Sequence, residues 1–256
     1  MSRSLKSWMV FLLIIGGLWS VAALWANNPL ILPSPWTVGE QMIRQLRDPA
    51  FFEALFFTLM RSLASLALSF LVAFVLAFAC AFHPFLAGQI NRLVSILQTL
   101  PNVCYIILLL FWCSRNMAVI VSGIFLLFPL IYRTLYEALL DIRKRWESVW
   151  IVYPQPKNVL ITRVCLPMLK PALLAALKNA SSLAFKVCVT SEILCSLSSG
   201  IGRQIQLDRF DLNLAGVVAW SLWLVVLVFV FEKLWNFLMT RMFGKEDSPL
   251  SRTEQK

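Results

Sequence analysis

Lys178, Lys186 and Glu192 stand in a run that is otherwise largely apolar, with Asn179, Ser181, Ser182 and Thr190 between them. Ionisable side chains in such a run are costly against hydrocarbon, and they normally face a bundle interior or a water-filled path. At 100° per residue, Glu192 falls about 40° and Lys186 about 80° from Lys178. A helix would therefore carry all three on one side. That side reads either as the lining of a translocation path or two-subunit seam, or as a structural polar seam that touches no solute. Pro101 and Pro129 lie inside two further apolar runs. A proline in a span frees a carbonyl and kinks the helix, which is tolerated where neighbours or water satisfy the freed group. Both join the pathway candidates, with a simple packing kink as the plainer alternative at either one.

The chemistry these residues suggest is passage rather than bond-making. The chain holds no Gly-rich phosphate loop, so it has no usual means of hydrolysing ATP. No His/Cys/Asp/Glu group has metal-ligand spacing, and no cofactor is expected. The six cysteines form no C-x-x-C pair and mostly fall in apolar stretches, where they act as small hydrophobes. His83 precedes Pro84 at a turn and reads as an ordinary loop residue.

The elements that must hold these residues follow from hydropathy. The 256 residues are 59% hydrophobic and 14% charged, with mean hydropathy +0.76. A soluble domain of that size needs far more polar surface, so much of this surface faces lipid. Apolar runs place spans at about 8–26, 58–82, 93–112, 117–136, 171–197 and 213–239, an all-α integral membrane protein of about six transmembrane helices in one domain, 1–256. Arg3 and Lys6 before the first run resemble the start of a signal peptide, but the run is long for one and reads as a retained span. Between the first two spans, Trp36 to Arg47 has the pattern of an interfacial helix. Arg61, near the start of the second span, is expected to snorkel to the outer surface.

The net charge of +10 would suggest nucleic acid in a soluble protein. Here the basic residues sit in short segments between apolar runs, so they report orientation, and no nucleic-acid partner is expected. With the N-terminus inside, the outer segments hold only Arg44, Arg47, Arg115, Arg203 and Arg209, and most of the remainder falls inside. This places both termini, and the long polar segment 137–170, in the cytoplasm of a cell with the chain in its plasma membrane. That segment reads as a helix from Glu137 to Tyr153, a sharp break at Pro154 and Pro156, and a second short helix from Lys157 to Val164. Trp150 and Tyr153 beside the break need either a partner protein or a bed of lipid headgroups.

In order and spacing, several of these features resemble the inner-membrane permeases of the nitrate, sulfonate and taurine class of ABC importers, within the larger binding-protein-dependent permease family. Leu32-Pro33-Ser34-Pro35 is similar to the family's element after its first span, and Thr58-Leu59-Met60-Arg61-Ser62-Leu63 to the start of its second. Leu100-Pro101 and Phe128-Pro129 match its span prolines. Ser191-Glu192 resembles its Ala-Glu pair, and Gly200-Ile201-Gly202 its Gly-Leu-Gly loop. Of the family's cytoplasmic signature, Val164-Cys165-Leu166-Pro167 keeps the tail. Pro154 occupies the glycine position and Ser148-Val149-Trp150 the Glu-Ala-Ala position, with Glu147 one residue out of register. The resemblance implies a type I ABC importer permease fold and a coupling segment at 137–170. Glu147, Ser148, Val149, Trp150, Tyr153, Pro154, Leu166 and Pro167 would then meet a cytoplasmic ABC ATPase. It also implies an external substrate-binding protein, a second permease copy in a homodimer, and a small solute such as an anion, a sulfonate or a heterocyclic precursor. A secondary transporter or channel without an ATPase is the alternative. Such folds often carry inverted repeats, and no internal repeat is visible here. A membrane-embedded enzyme would need a polar catalytic cluster, and none is apparent.

Overall fold

A computed structural model describes residues 3–156 and 159–243. Its helices, in chain order, are α1 (Arg3–Ala26), α2 (Pro35–Leu46), α3 (Pro49–Phe82), α4 (Pro84–Thr99), α5 (Asn102–Trp112) and α6 (Arg115–Val152). A π-helical turn (Leu160–Cys165) then runs into α7 (Leu166–Leu194), followed by α8 (Ile201–Phe210) and α9 (Leu214–Phe243). The helix starts have local causes. Ser34 accepts the Thr37 N–H at 3.2 Å ahead of Pro35, and Asp48 accepts the Ala50 N–H at 2.9 Å ahead of Pro49. Each pairs an N-cap oxygen with a proline in the first turn, where the missing N–H costs nothing.

Four helices among the described residues are long and apolar enough to cross a bilayer: Pro49–Phe82, Arg115–Val152, Leu160–Leu194 and Leu214–Trp235. The expectation of six continuous spans is modified in one place. The run taken as one span at 93–112 is two helices, α4 and α5, bent by 102° at Leu100-Pro101. The cause is Pro101. It offers no N–H to continue the ladder, and it drives Leu100 into extended backbone, φ −76° and ψ 131°. Pro129, by contrast, sits buried inside an unbroken α6. α1, Arg3–Ala26, is 24 residues long and covers the whole of the run at 8–26. With the bent pair counted as one, the described residues provide up to five spans.

The core is a three-helix packing of α3, α6 and α7 around Leu127, Ile131, Tyr132, Leu135, Leu139 and Leu169, all fully buried. Helices in lipid gain little from excluding water and hold together by close van der Waals fit, which small residues at the seam permit. Ala73 and Ala77 of α3 and Ala176 and Ala180 of α7 have no exposed surface. At Gly123 of α6 a Cβ would lie 2.7 Å from the Cβ of Ser65, so the missing side chain lets Ser65 of α3 pack directly on the α6 backbone. The Ser65 hydroxyl, 3.2 Å from the Ile120 carbonyl oxygen, adds a polar tie across the same seam. Towards the other end of the core, Tyr132 stacks on Tyr136 and donates to Asn91 Oδ1 of α4 at 3.0 Å.

Candidate functional site

Where α3 begins its apolar run, residues Thr58, Arg61, Ser62, Ser65 and Ser69 recur at helical spacing and are all buried. Thr58 and Arg61 of this stripe face the far end of α7, which carries Glu192, while Ser65 meets α6. The Glu192 side chain is fully buried, and Arg61 Nη1 lies 2.8 Å from its Oε1. Arg61 therefore does not snorkel to the surface, as its position near the helix start suggests. Its side chain is 9% exposed and is held inward by the carboxylate. A carboxylate on a neighbouring span offers the guanidinium a full counter-charge, which an interfacial position does not.

The pair is embedded in donors and acceptors. Thr58 Oγ1 donates to the Glu192 carboxylate at 2.9 and 3.1 Å and accepts the Ile201 N–H at 2.8 Å. The Gly202 N–H reaches Glu192 Oε2 at 3.0 Å. Arg61 Nη1 also donates to the Ser199 carbonyl oxygen at 2.9 Å. Its Nη2 donates to Ser199 Oγ and to Asn116 Oδ1 of α6, both at 2.9 Å. The carboxylate thus sits at the N-terminus of α8, where unpaired N–H groups and the helix dipole favour negative charge. Gly200 makes this fit. Its φ is +114°, and a Cβ there would come within 2.6 Å of Glu192 Oε1. Four parts of the chain meet at these two side chains: α3, the start of α6, the end of α7 and the Ser199–Gly202 turn. A further tie, Ser122 Oγ to Ser191 Oγ at 2.8 Å, joins α6 to α7 beside it. No charge is left uncompensated, so the arrangement is a latch between helices and holds no free group for catalysis.

The other α7 candidates do not share this cluster. Lys178 and Lys186 are exposed, as are Asn179 and Thr190, while Glu192 points inward. The single face expected for Lys178, Lys186 and Glu192 therefore divides: the edge between the open and the packed sides of α7 runs through the roughly 40° between Lys178 and Glu192. Pro101 is exposed at the α4–α5 bend, and Pro129 is buried in α6.

The residues of the cytoplasmic segment lie around the end of α6. The helix stops at Val152, and the Tyr153 N–H closes its last turn on the Val149 carbonyl oxygen at 2.8 Å. Glu147, Ser148, Val149, Tyr153 and Pro154 are exposed, and so are Leu166 and Pro167 at the start of α7. Trp150, taken above as exposed, is half-buried against the α3–α6–α7 core. Trp146, Val149, Trp150, Tyr153, Val159 and Leu160 line a groove of about 390 Å³. The separate helix expected from Lys157 to Val164 is instead the π-helical turn at the head of α7. Lys157 and Asn158 lie outside the described residues, as does the tail beyond Phe243. Among the described residues, no group of three or more His, Cys, Asp or Glu side chains could hold a metal ion.

The Arg61–Glu192 latch is only half legible in the sequence: the cost of burying Glu192 singles it out, whereas the place of Arg61 near the helix start points to the surface. The signal that pairs them is the four-residue spacing of Arg61, Ser65 and Ser69. It marks a buried polar stripe on α3, and a cation at its head requires an anion.

Comparison with known proteins gives these positions a context. The model of the family described as "Binding-protein-dependent transport system inner membrane component" matches residues 69–243. That range includes Lys178, Lys186, Glu192 and Gly200. A putative ABC transporter permease protein of Methanocaldococcus jannaschii is 23% identical over 211 residues, 78% of this chain and 79% of the relative. The formylaminopyrimidine transport permease protein ThiX of Halalkalibacterium halodurans is 25% identical over 206 residues, 79% of this chain and 81% of the relative.

Proposed function

Given that this chain belongs to the family of binding-protein-dependent transport system inner membrane components, we propose that it is the permease subunit of an ATP-driven ABC importer. It is a multi-pass membrane protein and a transport subunit rather than an enzyme. Two copies form the path, an external binding protein delivers the solute, and a cytoplasmic ATPase drives alternating access. Both termini and the α6–α7 connection lie in the cytoplasm, in keeping with the distribution of Arg and Lys. The solute is small: an anion, a sulfonate or a heterocyclic precursor. The relative named for formylaminopyrimidine transport supports the heterocyclic option.

The observation that carries the ATPase coupling is the far end of α6. This 38-residue helix is longer than a bilayer requires, and its last turns project Val149, Ile151, Val152 and Tyr153 as exposed apolar surface beside the groove at Trp146 and Trp150. Exposed aromatic and aliphatic side chains around a concave patch are the anatomy of a protein contact. Glu147, Ser148 and Pro154 sit on the same projection, and Leu166 and Pro167 flank its return. A channel or secondary transporter needs no such surface. The test is Val149→Ala with Tyr153→Ala. Both side chains are exposed, so insertion into the membrane is retained while co-purification of the ATPase falls. Unchanged ATPase yield and unchanged transport in this variant would remove the end of α6 as the coupling surface.

A further inference from the structure

The open side of α7 has a composition that lipid does not explain. Ala175, Lys178, Asn179, Lys186 and Thr190 are exposed and Ser182 is half-exposed, all falling within a sector of about 120°. Lys186 lies eight residues, about 12 Å, from the helix end at Leu194 and farther still from the other end, beyond the reach of a snorkelling lysine side chain. Neither lysine has an acidic partner among the described residues. The carboxylate that α7 carries, Glu192, is fully buried and held by Arg61. A second copy of the chain across a two-fold axis would bring the same two lysines and no exposed carboxylate from its own α7. Such a face excludes lipid by its charge and resists dry packing by like-charge repulsion, and it is compatible with water and anions.

We propose that this stripe of α7 lines the aqueous path and that Lys178 and Lys186 make the path attract anions and repel cations, so that charge discrimination resides in this chain and not wholly in a delivering protein. The proposal rests on the permease reading above and adds to it the class of solute the path favours. An anionic solute meets Lys178 and Lys186 in succession, about 12 Å apart along the helix. Two weakly screened positive charges concentrate anions locally and leave no fixed counter-charge that would hold a cation. A neutral heterocycle gains nothing from them.

The test uses two thiol reagents of opposite charge, the methanethiosulfonates bearing a sulfonate and a trimethylammonium group. The full chain is examined in its membrane with exposed Cys104 and half-buried Cys113 replaced by Ser. A single cysteine is introduced as Ser182→Cys, between the lysines, or Thr190→Cys, one turn beyond Lys186. Labelling rates are divided by those of a free thiol in solution. With two charges about 6–8 Å from the Ser182→Cys probe in a water-filled, salt-screened path, the sulfonate reagent reacts there on the order of tenfold faster than the cationic one, and Thr190→Cys, with Lys186 alone at that distance, shows a smaller preference of the same sign. Lys178→Gln with Lys186→Gln returns the ratio to that of the free thiol. If neither reagent reacts, the stripe faces lipid or a dry seam, and the path assignment falls together with the charge assignment. If both react at the free-thiol ratio, the path stands and charge discrimination is refuted. If the preference survives the double glutamine change, the two lysines are not its source and the proposal is overturned.

Discussion

Removing the Glu192 carboxylate probes the latch most sharply, because its partners are known atom by atom. Glu192→Leu leaves the Arg61 guanidinium buried without a counter-charge and strips the Gly202 N–H and the Thr58 hydroxyl of their acceptor. The pair attraction at about 4 Å and an effective dielectric of about 20 is on the order of 4 kcal/mol. Breaking a buried pair from one side typically costs about 3–5 kcal/mol. Glu192→Gln keeps one carbonyl acceptor but turns an amide N–H towards a donor, which places it between wild type and Leu at about 2–3 kcal/mol. Arg61→Leu combined with Glu192→Leu removes both charges. Apolar replacement of a whole buried pair is often neutral, so the double variant lies within about 2 kcal/mol of the parent, far less than the sum of the single changes. Thermal unfolding of the purified protein gives the ranking. Transport normalised to membrane expression then separates structure from function: a double variant that is stable yet inactive assigns the pair a role in movement of α3 against α7. Wild-type stability and transport in Glu192→Leu would refute the latch.

Three further outcomes follow from the same geometry. Gly200→Ala combines a left-handed backbone position with a Cβ driven into the Glu192 carboxylate, and it lowers stability by about 2–3 kcal/mol or more, read from the same unfolding assay. Pro101→Ala restores a ladder donor at the α4–α5 bend; spin-label distances from Ser95 to Leu108 positions lengthen as the bend opens, and an unchanged distance would mean that packing rather than the proline sets it. A cysteine placed at Leu250 is labelled only from the cytoplasmic side, and labelling from outside would overturn the orientation.

Much of the fold is written in hydropathy, since a span needs only length and apolar content. The run at 58–82 falls inside α3, and the run at 213–239 matches α9 to within one residue at its start, for that reason. What hydropathy leaves open is continuity. Leu100-Pro101 breaks a helix and Phe128-Pro129 does not, although both are proline within an apolar run, and hydropathy gives the two the same signal. The site was legible to the extent that a buried charge advertises itself. Glu192 was marked by its cost, but its partner lies 131 residues away in sequence, and pairing across that distance is a property of the packed helices. The helical wheel failed for Glu192, because the boundary between the open and the packed sides of α7 falls within the roughly 40° that separates it from exposed Lys178. Trp150 was similarly ambiguous: its type says contact, and only the packing of α6 against the core decides that half of that contact is internal.

The central claim is that this chain passes solute only when an ATPase drives it, and reconstitution measures that directly. Uptake into proteoliposomes would be followed for the chain alone, for the chain with its ATPase and binding protein, and for the full complex without nucleotide. Accumulation above the outside concentration that requires ATP, the ATPase and the binding protein together is the predicted result. Solute movement by the chain alone, unaffected by nucleotide or by Val149→Ala with Tyr153→Ala, would contradict it and identify a channel or secondary transporter instead.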